Sequence, residues 1–277
     1  MTDKIRCIEM QHINMCTRDF DASMEHFKRV FGAQFVHDIP APQWHAVLLY
    51  MGGVLFEMFV PEHWLVNARY GPHWVGLEYQ IGDVAETRQN LQDRGLGMVR
   101  DIGIAIHSEP EECFGVAFEF YDRSFFSDDA VAWIEPLQPA SYWRDEHPIG
   151  FTGLARYSIA VGDHDAALAF YDDLFDLEVT YEEERPAIGA RATGIQLADT
   201  VVELLSPTGP GPIADQLHRY GDGMRSVVFG VTDLDRAARH FAGHGITLVP
   251  GDRDDTLAIR PADNRGMMME FSAGSSR

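Results

Sequence analysis

Four glutamates stand alone inside short apolar runs: Glu57 in VLFEMFV, Glu119 in GVAFEFY, Glu203 in TVVELLS and Glu270 in GMMMEFS. Runs of this length and composition read as buried strands. A carboxylate in such a strand is costly unless a cation, a metal ion or hydrogen-bond donors neutralise it. Four in equivalent settings imply a repeated scaffold that points carboxylates into a cavity.

The repeat is visible when the chain is laid against itself. RYGPHWVGLEYQIGDV, from Arg69, aligns without gaps to RYGDGMRSVVFGVTDL, from Arg219, at an offset of 150 residues. The same offset carries Asp83 to Asp233, Gly95 to Gly245 and Gly76 to Ser226, and one residue more carries Glu119 to Glu270. HAVLLYMGGVLFEMFVP, from His45, aligns to RATGIQLADTVVELLSP, from Arg191. Each half divides again into a strand ending in Asp, an amphipathic helix, and strands closing on the glutamate. Phe20, Met24, Phe27, Val30 and Phe31 fall at helical spacing between Asp19 and Gly32, as do Leu234, Ala237, Ala238 and Phe241 between Asp233 and Gly245. Asp before a helix and Gly just past it are boundary signals. From a fixed position in the opening strand to the glutamate the spans are 45, 43, 47 and 44 residues (12 to 57, 76 to 119, 156 to 203, 226 to 270). The chain reads as four βαβββ modules.

Composition sets the outer bounds. The 277 residues are 45% hydrophobic, enough for two domains of roughly 120–140 residues. Neither a membrane span nor the apolar core of a signal peptide is visible. Cys7, Cys16 and Cys113 show no metal-type pairing, so a reduced cytoplasmic protein is expected. Twenty-two Lys and Arg against 43 Asp and Glu give a net charge of −21, which argues against nucleic acid or an anionic membrane as partner. The stretch IEPLQPASYWRDEHPIG marks a boundary between the halves.

Four modules of this length closing on a strand glutamate resemble the vicinal oxygen chelate superfamily, which includes glyoxalase I, methylmalonyl-CoA epimerase, bleomycin resistance proteins and extradiol dioxygenases. HINMCTRDFDASMEHFKRVFGAQF is similar to the family's opening strand and helix, and AIHSEPEECFGVAFEFYD and AIRPADNRGMMMEFSAG to its closing segment. The resemblance implies an α+β fold of two glyoxalase-like domains with cup-shaped mixed sheets: residues 1–135, a linker at 136–150, and residues 151–277. Modules pair within each half in the commoner family arrangement. Pairing of the first with the fourth is the alternative, and would bring His12 and Glu57 to Glu270, with Ser226 nearby.

The resemblance also implies a divalent metal (Zn, Mn, Fe, Ni or Co) held by the opening and closing strands of two modules. Carried over by position, the first half supplies His12, Glu57 and Glu119, with Gly76 where the second module usually brings His or Gln. One imidazole and two carboxylates suit such an ion and leave positions for substrate. His73 and His45 are the spare imidazoles, and Trp44, Trp64, Trp74 and Phe56 are candidate pocket walls. The remaining histidines considered, His26, His37, His63, His164, His240 and His244, are expected to be solvated. In the second half Arg156 and Arg191 stand where the first half has His12 and His45, and Ser226 where it has Gly76; a fixed guanidinium there is expected to neutralise Glu203, leaving a degenerate site. The implied activity is that of a metal-dependent lyase or isomerase, acting on a small molecule that chelates through two neighbouring oxygens, with Glu57 or Glu119 as base. An extradiol dioxygenase using Fe(II) and a non-catalytic, bleomycin-resistance-like binding protein are the alternatives. A homodimer is expected by resemblance alone.

Overall fold

The computed structural model describes residues 3–41, 44–60, 71–127 and 132–274. The first half contains β1 (Cys7–Cys16), α1 (Phe20–Phe31), β2 (Gln34–Ala41), β3 (Trp44–Met51) and β4 (Val54–Phe59), then β5 (His73–Ile81), α2 (Val84–Asp93), β6 (Met98–Asp101), β7 (Ala105–Ser108) and β8 (Ala117–Tyr121). The second half repeats the order with β9 (Phe151–Ala160), α3 (His164–Leu174), β10 (Glu178–Arg185), β11 (Ala190–Leu197) and β12 (Thr200–Pro207). A further helix, α4 (Pro212–Tyr220), precedes β13 (Gly223–Val231), α5 (Leu234–Gly243), β14 (Val249–Pro250), β15 (Thr256–Ile259) and β16 (Met268–Ser272). These are the four βαβββ modules. The helix α4 lies outside the repeat: a proline begins it and Ile213 is its one buried residue.

The module helices start where the sequence marks them. Asp19, Asp83, Asp163 and Asp233 each accept a backbone N–H of the first turn, and α1 ends at Gly32 in the left-handed conformation (φ 62°). Each cap satisfies a donor that the helix itself leaves open.

Strand pairing settles which modules share a sheet. The first half forms the order β2-β3-β4-β1-β5-β8-β7-β6, and the second β10-β11-β12-β9-β13-β16-β15-β14. Both sheets are mixed, because β5 runs parallel to β8, and β13 to β16, among antiparallel neighbours. Modules therefore pair within halves. Among the described residues no helix is long and apolar enough to cross a membrane.

By packing, the chain forms two compact units, residues 1–12, 75–131 and 158–224, and residues 13–74, 132–157 and 225–277. In the first unit Phe118, Phe120, Tyr171 and Phe175 form a buried aromatic core. In the second, Phe27, Phe31, Phe151, Phe229, Phe241 and Phe271 do the same. The stretch at 136–150 is packed rather than loose. A single π-helical turn at Tyr142–Glu146 buries Trp143 against Tyr50 and Phe151.

Two histidines expected at the surface are inside. His26 lies on the inward face of α1 and bonds Asn264 Oδ1 at 2.8 Å. His164, at the start of α3, meets Thr193 Oγ1 and Ser206 Oγ, each at 2.8 Å. His37 and His240 reach the carbonyls of Ala132 and Val30, and His63 lies outside the described residues. Burial pays no penalty here, because the neutral rings have their nitrogens satisfied.

His147 is held most firmly in the neutral form. It accepts from Ile149 N–H on Nδ1 and makes a second hydrogen bond to the backbone of Phe31, and burial followed by the charges of His240 and Arg236 pushes its pKa down to about 4. Protonation would place a second proton against the Ile149 N–H. The unfolded ring titrates near its ordinary 6.5, so between these values the unfolded chain binds a proton that the fold refuses. Stability is full above the unfolded value and falls as pH drops toward the folded one, and the lowered pKa values of His26 and His164 act in the same direction. Thermal midpoints measured across this window should decline on acidification, and His147→Gln, which keeps a donor and an acceptor, should make the decline shallower.

The two second-half glutamates are neutralised from within. Glu203 accepts from Tyr181 OH at 2.6 Å and from Arg185, whose Nη1 lies 2.9 Å from Oε2. Arg185 from β10 thus supplies a guanidinium to Glu203. Glu270 accepts from Ser226 Oγ at 2.6 Å, Thr256 Oγ1 at 2.9 Å and Asp252 N–H at 2.9 Å. Burial, then the charge of Asp252, pushes its pKa up, while Arg156 draws it down. The charge of Arg156 thus acts on Glu270. Removing one member of a buried pair strands the other. Arg185→Met should therefore cost about 3–5 kcal/mol of stability in denaturant titrations, and adding Glu203→Gln should recover much of that loss.

Candidate metal centre

Four neighbouring strands, β1, β5, β8 and β7, place one chemical side chain each on a common row. Glu78 of β5 is in register with Glu119 of β8, and Glu119 with His107 of β7. Residues paired across adjacent strands project to the same face. His12 of β1 completes the row: its Nδ1 lies 3.4 Å from Glu78 Oε1 and its Nε2 lies 3.6 Å from Glu119 Oε2. On the far side His107 Nε2 lies 3.1 Å from Glu119 Oε1. His12, Glu78 and His107 are 1–3% exposed, and the Glu119 side chain is 12% exposed. The ring of Phe125 meets His12 edge-on at 5.4 Å, and the Phe125 N–H is tied to Gln11 Oε1 at 2.7 Å.

One donor atom each from His12, Glu78 and Glu119 lies within 4.8 Å of the others, the one such group of His, Cys, Asp or Glu among the described residues. Two carboxylates side by side in a buried setting repel, and a divalent cation offsets that repulsion. Glu78 Oε1 accepts no hydrogen bond among the described residues, as suits a ligand atom. One imidazole and two carboxylates match Zn, Mn, Fe, Ni or Co. The residues present fit such an ion.

The structure brings together His12 and Glu119 of the three expected ligands and adds Glu78 beside them. Glu57, the third expected ligand, is buried on β4 (9% exposed). Glu78 carried the same sequence signal as the other glutamates, a lone carboxylate in WVGLEYQI. Repeat alignment directs attention two residues upstream, to Gly76, and a Cβ there would fall 1.9 Å from Ala117 O. The backbones of β5 and β8 approach too closely for a side chain, and the next residue on that face, Glu78, carries the carboxylate. His107 had no signal of its own, since a strand histidine acquires meaning only through its register with Glu119.

The remaining candidates have contacts of their own. His45 is 42% exposed, 2.5 Å from Asp38 Oδ1, and stacked on Phe20. His73 Nδ1 lies 2.7 Å from Gly71 O. Trp74 is buried, donates to Met268 O at 2.8 Å, and packs with Phe56 in an aromatic core. The side chain of Trp44, and all of Trp64, lie outside the described residues. Glu270 sits in the hydrogen-bond network described above.

The model of the Glyoxalase/Bleomycin resistance protein/Dioxygenase superfamily matches residues 153–271. An ethylmalonyl-CoA/methylmalonyl-CoA epimerase of Cereibacter sphaeroides is 30% identical over 127 residues, covering 43% of this chain and 95% of the relative. Among solved structures, a mutant of 4-hydroxymandelate synthase from Streptomyces coelicolor superposes with a TM-score of 0.70 at 15% identity, covering 97% of this chain and 94% of the other. A variant of homoprotocatechuate 2,3-dioxygenase from B. fuscum gives 0.68 at 14%, covering 99% and 74%. At these identities the two structures share the fold. With the epimerase relative and the family match added to four βαβββ modules, the chain belongs to the glyoxalase/bleomycin resistance protein/dioxygenase superfamily and is one of its enzymes.

Proposed function

We propose that the protein is a metal-dependent isomerase or lyase of the glyoxalase type, acting on a small substrate with two neighbouring oxygens at His12, Glu78 and Glu119. The observation that carries this reading is the buried cluster of one imidazole and two carboxylates within 4.8 Å. A divalent ion held there supplies Lewis acidity, which stabilises negative charge developing on a substrate oxygen. The chain's own groups supply the rest. A carboxylate at the edge of the cluster can accept a proton from the carbon next to that oxygen. Glu119 is the better placed of the two, being more open than Glu78 (12% against 1%). Phe125, edge-on to His12, limits the access of water from its side. Epimerisation, the reaction in the name of the relative from Cereibacter sphaeroides, needs this kind of proton transfer. The domain division 1–135, 136–150 and 151–277 belongs to the same reading, with the first half carrying the site.

A second reading has one observation in its favour. His107 provides a second imidazole beside Glu119, so two histidines and a carboxylate adjoin one another, a set that suits non-haem Fe(II) and oxygen. A catechol assay with Fe(II) under air separates the two readings. The isomerase reading expects no ring-opened yellow product, and its appearance would replace that reading with the dioxygenase.

Metal content tests the site itself. The native chain should hold about one equivalent of divalent metal, and His12→Ala and Glu78→Gln should both lose it. Glu57→Gln should retain it, and loss in that variant would return Glu57 to the ligand set. A native chain that gains no metal on reconstitution would remove the proposed chemistry, leaving ligand binding as the role of the site.

A further inference from the structure

We infer that His107 is the positioning residue of this centre: its Nε2–H holds Glu119 by Oε1, so that Oε2 alone is presented to the ion. The inference rests on the metal-site reading above and adds to it which oxygen of Glu119 serves as donor, and why.

The two oxygens of Glu119 face different neighbours. Oε1 lies 3.1 Å from His107 Nε2, and Oε2 lies 3.6 Å from His12 Nε2. An ionised carboxylate only accepts hydrogen bonds, so the proton sits on His107 Nε2. The contact is built into the sheet, since His107 and Glu119 are directly opposed on antiparallel β7 and β8, and His107 is 3% exposed. A glutamate without this restraint could rotate about its last torsion, which is broad and two-fold, and offer both oxygens or neither. A buried donor on one oxygen removes that freedom and fixes the orientation of the ligand.

The chain contains its own control. In the second half the glutamate equivalent to Glu119 is Glu270, and the residue opposed to it in the same antiparallel register is Ala258. That half has Arg156 and Ser226 in place of ligands, and both oxygens of Glu270 are taken by Ser226, Thr256 and the Asp252 N–H. The imidazole is present opposite the glutamate that joins a metal-type cluster and absent opposite the one that does not. Structural support of the strand alone would not require that difference, because Ala258 pairs in an equivalent ladder.

Co(II) binding to the full chain is the test, measured by chelator competition and by the visible absorption spectrum, on native protein, His107→Ala, His107→Gln and His12→Ala. Thermal midpoints of the metal-free proteins check that each variant is folded. His107→Ala should weaken binding by about 10–100-fold and alter the spectrum as Glu119 changes its mode of ligation. His107→Gln, which keeps an N–H donor, should recover most of the affinity and the native spectrum. Native affinity and spectrum in His107→Ala would overturn the inference while leaving the metal site standing. It is also overturned if His107→Gln is as weak as His107→Ala, or if both lose Co(II) as completely as His12→Ala, the last making His107 a ligand. A native chain that binds no Co(II) overturns the metal reading itself, an outcome distinct from all of these.

Discussion

Burying a carboxylate inside a β-sheet is the constraint around which this protein is arranged. Glu78, Glu119, Glu203 and Glu270 are all withdrawn from water, and each must meet positive charge or hydrogen-bond donors close by. The two halves solve the problem with different chemistry on the same strands. In the second, a guanidinium and a phenol meet Glu203, while hydroxyls and a backbone amide meet Glu270. Such fixed donors consume the lone pairs of the carboxylates. In the first half imidazoles face the carboxylates at 3.1–3.6 Å, an arrangement in which an ion can share the negative charge. Two different ways of meeting a buried carboxylate thus come from one repeated plan.

Much of this was legible in the residues. The helix caps at Asp19, Asp83, Asp163 and Asp233 and the four modules follow from spacing, because hydrophobic period and capping act locally, while His12 and Glu119 were singled out by what the family resemblance implies. The site was only half legible. Glu78 and His107 reach Glu119 only because β5 and β7 flank β8, and no local pattern marks that pairing. The same limit applies to His26 and His164, whose inward orientation depends on the helix face that packs, and to Arg185, whose partner is decided by the placing of β10. The family match covers residues 153–271, while the His12–Glu78–Glu119 cluster lies in the first half. What that match recognises is the scaffold, and a scaffold hosts many reactions.

The close approach of β5 and β8 at Gly76 has a consequence for how such a site can change. A residue of any other type there meets the carbonyl of Ala117 at 1.9 Å, so a histidine or glutamine cannot be restored by a single substitution without parting the two strands. The carboxylate of Glu78 stands instead on the next residue of that face, about 6.6 Å along the strand at two residues' rise. In the second half Ser226 occupies the same place, opposite Met268, so β13 and β16 leave room for a side chain that β5 and β8 do not. The spacing between two parallel backbones thus decides whether that position can carry a polar group at all.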